Sequence, residues 1–434
     1  MDRKEFARRR RQFMRIIGKD SIAILPAAPV HRRNGNIEYA YRQDSHFYYL
    51  TGFREPEAVA VLLPGRGQGE YLLFTREHDA LREYWDGVRA GPDGAVTRFG
   101  ADDAFPIADI DEILPGLMEH RSRIFYSMGL HVEFDPRVLG WVNGLRIQAR
   151  RGTGVAQEFV ALNHVLDDMR LYKTSAEQVC LRRAAQIAVG AHRRAMRFVR
   201  PGRMEYEVMA ELLHEFRSHN ADISYPPIVG SGANACVMHY RDNDQRLRDG
   251  DLLLLDAGCE HDYYASDITR TFPVSGRFTP AQRAVYEVVL DAQCAAIDMV
   301  RVGNHWNQPH EAAVRVITAG LVKLSLLKGS VARLIKDQAY LEFFGHRTGH
   351  WLGLDVHDVG DYRVGGEWRV FEPGMVLTVE PGIYIRPAAR TRKEFSNIGI
   401  RIEDDVLVTS GAPEVLTGAL EKTAEAIEAL VQAA

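Results

Sequence analysis

Long apolar runs are missing from this 434-residue chain. No stretch approaches the roughly 20 consecutive apolar residues of a membrane span. The amino-terminal segment is charged at Arg3, Lys4 and Arg8 to Arg11. Arg15 then interrupts Phe13, Met14, Ile16 and Ile17, so no apolar core of a secretory signal follows and the cytoplasm is the expected location. Cysteine is scarce. Cys180, Cys236, Cys259 and Cys294 show neither close pairing nor metal-ligand spacing, which predicts free thiols in a reducing compartment, all four as small buried side chains. A net charge of -4 removes the electrostatic case for nucleic acid or an anionic membrane as partner. The amino-terminal arginines therefore read as the solvated face of a first helix. No Gly-x-Ser-x-Gly elbow exists, and no cysteine sits in a nucleophile context. His214-Glu215-Phe216-Arg217-Ser218-His219 imitates the HExxH zinc motif, but a five-residue step turns two helical side chains about 140° apart. Those histidines cannot share a metal and read as ordinary helix residues, His214 partly buried.

What is present is an ordinary globular composition, 46% hydrophobic and 26% charged. The length exceeds what one core usually supports, so two domains are expected. Residues 21–27, 47–53, 58–63, 71–75 and 123–126 read as strands and residues 136–148 as a helix, together an α/β unit. Gly65-Arg66-Gly67-Gln68-Gly69 joins two strands and is a hairpin turn rather than a phosphate loop. Thr174-Ser175-Ala176-Glu177 fits a capping box, after which Cys180, Ala184, Ile187, Ala188, Ala191, Ala195 and Phe198 recur at helical spacing until Pro201-Gly202. The domains are accordingly placed at 1–172 and 173–434.

Leu252-Leu253-Leu254-Leu255-Asp256 reads as a buried strand ending in a carboxylate, and Asp267 follows eleven residues later. A hairpin through residues 259–264 would return the chain antiparallel and set Asp267 opposite Asp256. Taken alone, the motif reads equally as two metal ligands or as a surface hairpin with solvated aspartates. The second domain also repeats itself. Residues 195–202 and 296–303 each end a long helix, and each is followed by a second helical pattern and a Gly-rich turn leading to a histidine, His239 or His357. Gly250 precedes Asp256 by six residues as Gly374 precedes Glu380, with Gly258 and Gly382 two beyond; Asp267 and Glu403 follow in turn. A pseudo-twofold domain would bring one carboxylate pair from each half to a shared centre. Four converging carboxylates need about four positive charges, which two divalent metal ions supply. Residues 345–358 concentrate His346, His350 and His357 among glycines. One imidazole among hard oxygen ligands suits manganese, cobalt, iron or zinc.

These residues, with Tyr41-Arg42-Gln43-Asp44-Ser45, Thr51-Gly52-Phe53-Arg54-Glu55-Pro56 and Gly399-Ile400-Arg401-Ile402-Glu403-Asp404-Asp405, resemble the pita-bread metallopeptidases, most closely the X-Pro aminopeptidases. The resemblance implies an α+β chain in which an N-terminal α/β domain precedes a pseudo-twofold pita-bread domain. It implies that Asp256 chelates one metal, that Asp267 and Glu403 bridge two, and that His350 and Glu380 bind the second. It further implies two divalent ions, manganese first with cobalt or zinc as alternatives, and attack by a bridging hydroxide on peptides whose second residue is proline. Glu380 would shuttle the proton, His239 and His357 would flank the scissile bond, and His346 and Arg401 would orient peptide or ligands. Related enzymes form dimers or tetramers. Trp85 reads first as a structural tryptophan and second as a pocket wall given by a neighbouring subunit. A prolidase of the same fold and a non-catalytic peptide-binding module are the alternatives, and retention of every ligand type opposes the module.

Overall fold

The computed structural model describes residues 1–148, 154–388 and 392–433. It divides into two units, Met1–Met169 and Arg170–Ala434.

In the first unit a six-stranded sheet runs in the order Asp103–Pro106, Tyr71–Thr75, Val59–Leu62, Ser21–Pro26, Arg123–Phe125, Glu158–Val160. Its three central strands pair antiparallel and its outer strands add parallel. The expected hairpin joins Val59–Leu62 to Tyr71–Thr75. Residues 47–53 correct the strand expectation: Ser45–Thr51 is a helix with every residue buried. Its ends explain the reversal. The Asp44 carboxylate accepts from the Phe47 amide at 2.8 Å, and Gly52 closes the helix at φ 67. A Cβ on Gly52 would lie 2.6 Å from the Phe6 ring. With apolar side chains all round, the segment has no period to set helix against strand, and its caps decide.

The arginine cluster is also corrected. In the helix Arg3–Ile17, Arg9 and Arg10 are buried rather than solvated. Arg9 Nη1 donates to the Tyr49 carbonyl at 3.1 Å and lies 4.2 Å from that ring's centroid; Arg10 Nη1 donates to the Leu50 carbonyl at 2.8 Å and stacks 4.0 Å from Tyr71. Both guanidiniums thus satisfy last-turn carbonyls of the buried helix, which have no partner within it.

The second unit is built twice from the same parts. Helices Ser175–Phe198 and Glu205–Ser218 serve the first half, Pro280–Asp298 and Gln308–Lys323 the second. The Thr174 amide donates to Glu177 at 2.9 Å, and the apolar face from Cys180 to Ala195 is buried. Leu252–Asp256 lies between Ile228–Ser231 and Thr269–Pro273. In the second half Val376–Val379 pairs with Asp404–Leu407, and Gly382–Ile385 with Ile398–Arg401. The halves are sewn together where the Glu403 amide donates to the Thr269 carbonyl at 3.0 Å and the Asp267 amide to Asp405 at 3.2 Å.

Four details differ from expectation. The cross-strand partner of Asp256 is Thr269, with Asp267 two residues beyond. The intervening chain forms its own hairpin, Cys259–His261 with Tyr264–Ala265, turned by Asp262 and Tyr263 at positive φ. Cys294 is exposed, unlike the other three thiols, and His214 is exposed as well.

Candidate active site

Strand ends deliver the acidic groups. Asp256 terminates Leu252–Asp256, Asp267 precedes Thr269–Pro273, Glu380 follows Val376–Val379, and Glu403 precedes Asp404–Leu407. Asp256, Asp267 and Glu403 are buried. The segment carrying the imidazole is bonded edge-on to the second-half strand: the Thr378 amide donates to the His350 carbonyl at 2.9 Å and the Glu380 amide to the Thr348 carbonyl at 2.8 Å. Only glycine permits that approach, because a Cβ on Gly349 would sit 2.0 Å from the Thr378 oxygen. His350 Nδ1 meets the Trp351 carbonyl at 3.0 Å, which turns Nε2 toward Asp267 Oδ2 at 3.3 Å and Glu380 Oε1 at 3.8 Å.

Ligand atoms of Asp267, His350 and Glu403 lie within 4.8 Å of one another. The Tyr225 hydroxyl sits between Asp256 and Asp267, 2.5 Å from Asp256 Oδ1. Thr269 Oγ1 donates to Glu403 at 2.6 Å. Arg401 is the guanidinium among them: Nη2 donates to Asp256, Nε to Thr269 Oγ1 at 3.1 Å and Nη1 to the Tyr384 hydroxyl at 2.9 Å. Tyr384 in turn meets His346 Nε2 at 3.0 Å.

One guanidinium cannot balance four carboxylates. Burial pushes the Glu380 carboxyl up to about 7, against His350 and Arg401 and with the help of Asp267 and Asp256. Glu403 and Asp256 are raised for the same reason, Arg401 opposing in both. Burial disfavours a charged His350, yet Asp267 and Glu380 overcome it and hold the imidazole at about 9. Each of the three carboxyls is raised first by burial, and neighbouring carboxylates add to it. An oxygen-rich set with one imidazole fits hard or borderline divalent cations.

The site opens into a cavity of about 440 Å³ whose lining includes His239, His346, His357, Glu380, Arg401 and Glu403. The His357 ring is 4.2 Å from that of His350. All nine sequence-selected residues therefore line one cavity. A larger cavity of about 690 Å³, between residues 250–252, 279–284 and 392–398, contains none of them. Trp85 is 74% exposed, which removes the structural reading of its ring. Two tyrosines were not legible in the sequence: Tyr225, whose hydroxyl links Asp256 to Asp267, and Tyr384, whose hydroxyl links Arg401 to His346. Nor was Asp404, which Arg270, Gln293, Thr417 and Lys422 hold behind Glu403. A charged residue directly after Glu403 was the available signal, but an Asp in a strand names no partner.

Comparison with known proteins agrees with this geometry. Residues 179–410 match the model of metallopeptidase family M24, and residues 6–126 that of the aminopeptidase P N-terminal domain. The Xaa-Pro aminopeptidase of Escherichia coli is 43% identical over 436 residues, covering 100% of this chain and 99% of that protein. The aminopeptidase PepP of Pseudomonas aeruginosa superposes with a TM-score of 0.99 at 57% identity, covering 100% and 98%. A zinc-substituted aminopeptidase P of E. coli in complex with product superposes at 0.97 and 43% identity, covering 100% and 99%. Among the described residues no helix is long and apolar enough to cross a membrane. With both domain models matched and relatives aligned along its whole length, the chain belongs to metallopeptidase family M24, in its aminopeptidase P group.

Proposed function

We propose that this chain removes the first residue from peptides whose second residue is proline, using two divalent cations. The observation that carries the metal reading is the imbalance of charge at the cavity floor: Asp256, Asp267, Glu380 and Glu403 gather around His350, and among the described residues Arg401 is the guanidinium that donates to one of them. Asp256, Asp267, His350, Glu380 and Glu403 are the residues that would hold the cations, and manganese is the first candidate, with cobalt or zinc as alternatives. Bound there, such cations supply Lewis acidity that lowers the pKa of water and polarises a carbonyl.

The chain's own groups do the rest. Glu380 accepts the proton of the attacking water at Oε1 and returns it to the proline nitrogen, which has no N–H of its own and must gain one to leave. His239 and His357, at the exposed side of the cavity, donate to the carbonyl oxygen as negative charge builds there. Arg401 fixes Asp256 and, through Tyr384, sets the orientation of His346 beside the proline ring. The buried strand ends exclude bulk water from the reacting atoms.

An oligomer and a cytoplasmic location belong to the same proposal; the exposed Trp85 suits contact with another subunit in a dimer or tetramer. The deciding experiment supplies one X-Pro tripeptide and one X-Pro dipeptide to the enzyme with manganese, cobalt and zinc in turn. Release of the first residue from the tripeptide is the expected result. Hydrolysis of the dipeptide alone would make the protein a prolidase, and activity that survives chelation would end the metal mechanism.

A further inference from the structure

The active-site cavity has a floor and a mouth. Asp256, Asp267, Arg401 and Glu403 are buried at the floor, whereas His239, Arg241, Arg347 and His357 are exposed residues of the same lining. A peptide whose first bond reaches the floor must run outward from proline past the mouth. Arg401 is already engaged by Asp256 and Tyr384. The two outer guanidiniums are not neutralised in this way. Among the described residues Arg241 has no hydrogen bond or ion pair. Arg347 donates to the neutral Asn307 and lies 5.5 Å from the centroid of Trp368, a ring that Arg363 also covers at 3.9 Å. Glu311 acts on Arg347 from a distance, but its carboxylate is held by Asn307 Nδ2 at 2.6 Å. Unpaired guanidiniums at the rim of a low-dielectric cleft focus a positive potential into it, and their planar fork matches a carboxylate.

Resting on the X-Pro aminopeptidase reading, we propose that Arg241 and Arg347 form a cationic subsite that selects peptides bearing a carboxylate just beyond proline. That carboxylate belongs to an acidic side chain or to the peptide's own C-terminus. The interaction is made outside the reacting bond, so it favours binding over the chemical step and lowers KM more than it raises kcat.

The test is a set of peptides alike except at the third residue, Glu, Gln or Lys, with amidated C-termini, together with the Gln tripeptide as free acid and as amide. For the enzyme as isolated, kcat/KM for Glu should exceed that for Lys about ten-fold at low salt and converge at high salt, since the charges are solvent-exposed. A preference for the free acid over the amide assigns the C-terminal source; a preference for Glu assigns the side chain. In R241Q/R347Q the Glu-to-Lys ratio should fall toward one, and R241K/R347K should restore part of it. Equal rates for Glu, Gln and Lys with no preference for the free acid, or a preference for Glu or for the free acid that R241Q/R347Q leaves unchanged, overturns the subsite while leaving the aminopeptidase reading intact. Cleavage of none of the peptides overturns that reading, and the subsite with it.

Discussion

Arg270 Nη2 donates to Asp404 Oδ1 at 2.8 Å with both side chains fully buried. Lys422 reaches the other oxygen at 2.9 Å and Gln293 donates to it at 2.7 Å. The pair forms a polar spine directly behind Glu403. Burial opposes an ionised Asp404, but Arg270 and Lys422 outweigh it and hold the carboxyl well below the usual range. Removing one partner of a buried pair leaves the other uncompensated, so D404N should lose about 3–5 kcal/mol of stability. Urea unfolding measures this, and a loss under about 1 kcal/mol would show the spine to be dispensable.

His192 predicts a specific pH dependence. Its ring is fully buried, Nε2 meets the Ala257 carbonyl at 3.0 Å, and burial lowers its pKa to about 4. The unfolded chain binds a proton near the ordinary value of about 6.5, so the unfolded state holds more protons between those two values. Stability from this group is therefore full above pH ~6.5 and lost as pH falls toward ~4, by an amount on the order of 3 kcal/mol. Unfolding curves at pH 7.5 and pH 5 should separate less in H192Q than in the unaltered protein. Equal separations would remove His192 from the acid response.

Glu380 separates proton transfer from peptide binding. E380Q keeps the shape and removes the base, so kcat should fall at least about 100-fold with a much smaller change in KM. A kcat within a few-fold of the unaltered enzyme would assign the shuttle to another group.

Gly349 couples backbone to ligand. A Cβ at this position meets the Thr378 oxygen at 2.0 Å, so G349A must push the His350 segment off the strand. Metal content after gel filtration should drop together with activity, and the unfolding midpoint in chelator should change less than the midpoint with metal added. Full metal content in G349A would show that the close approach does not position His350.

The legible part of the fold was the part written in local pattern. The capping box at Thr174 and the apolar face that follows it belong to one continuous helix, so spacing alone reveals them. The hairpin at Gly65–Gly69 is similarly local. Residues 47–53 misled because an entirely apolar stretch carries no period, and the deciding groups were the flanking Asp44 and Gly52. Arg9 and Arg10 misled because burial of an arginine depends on carbonyls forty residues away, at Tyr49 and Leu50.

The sequence by itself determined which chemical groups could meet: carboxylates at matched positions of a repeat, beside apolar strands, and an imidazole in a glycine-rich segment. Side-chain identity and strand period are covalent and local, so these survive without coordinates. Only the tertiary structure decided which groups share a proton, a charge or a wall. Tyr225 between Asp256 and Asp267, Arg270 against Asp404, and Arg241 without a counter-charge among the described residues at the cavity mouth are all relations across the fold. Their strength depends on distance and burial, and neither is encoded in the order of residues along the chain.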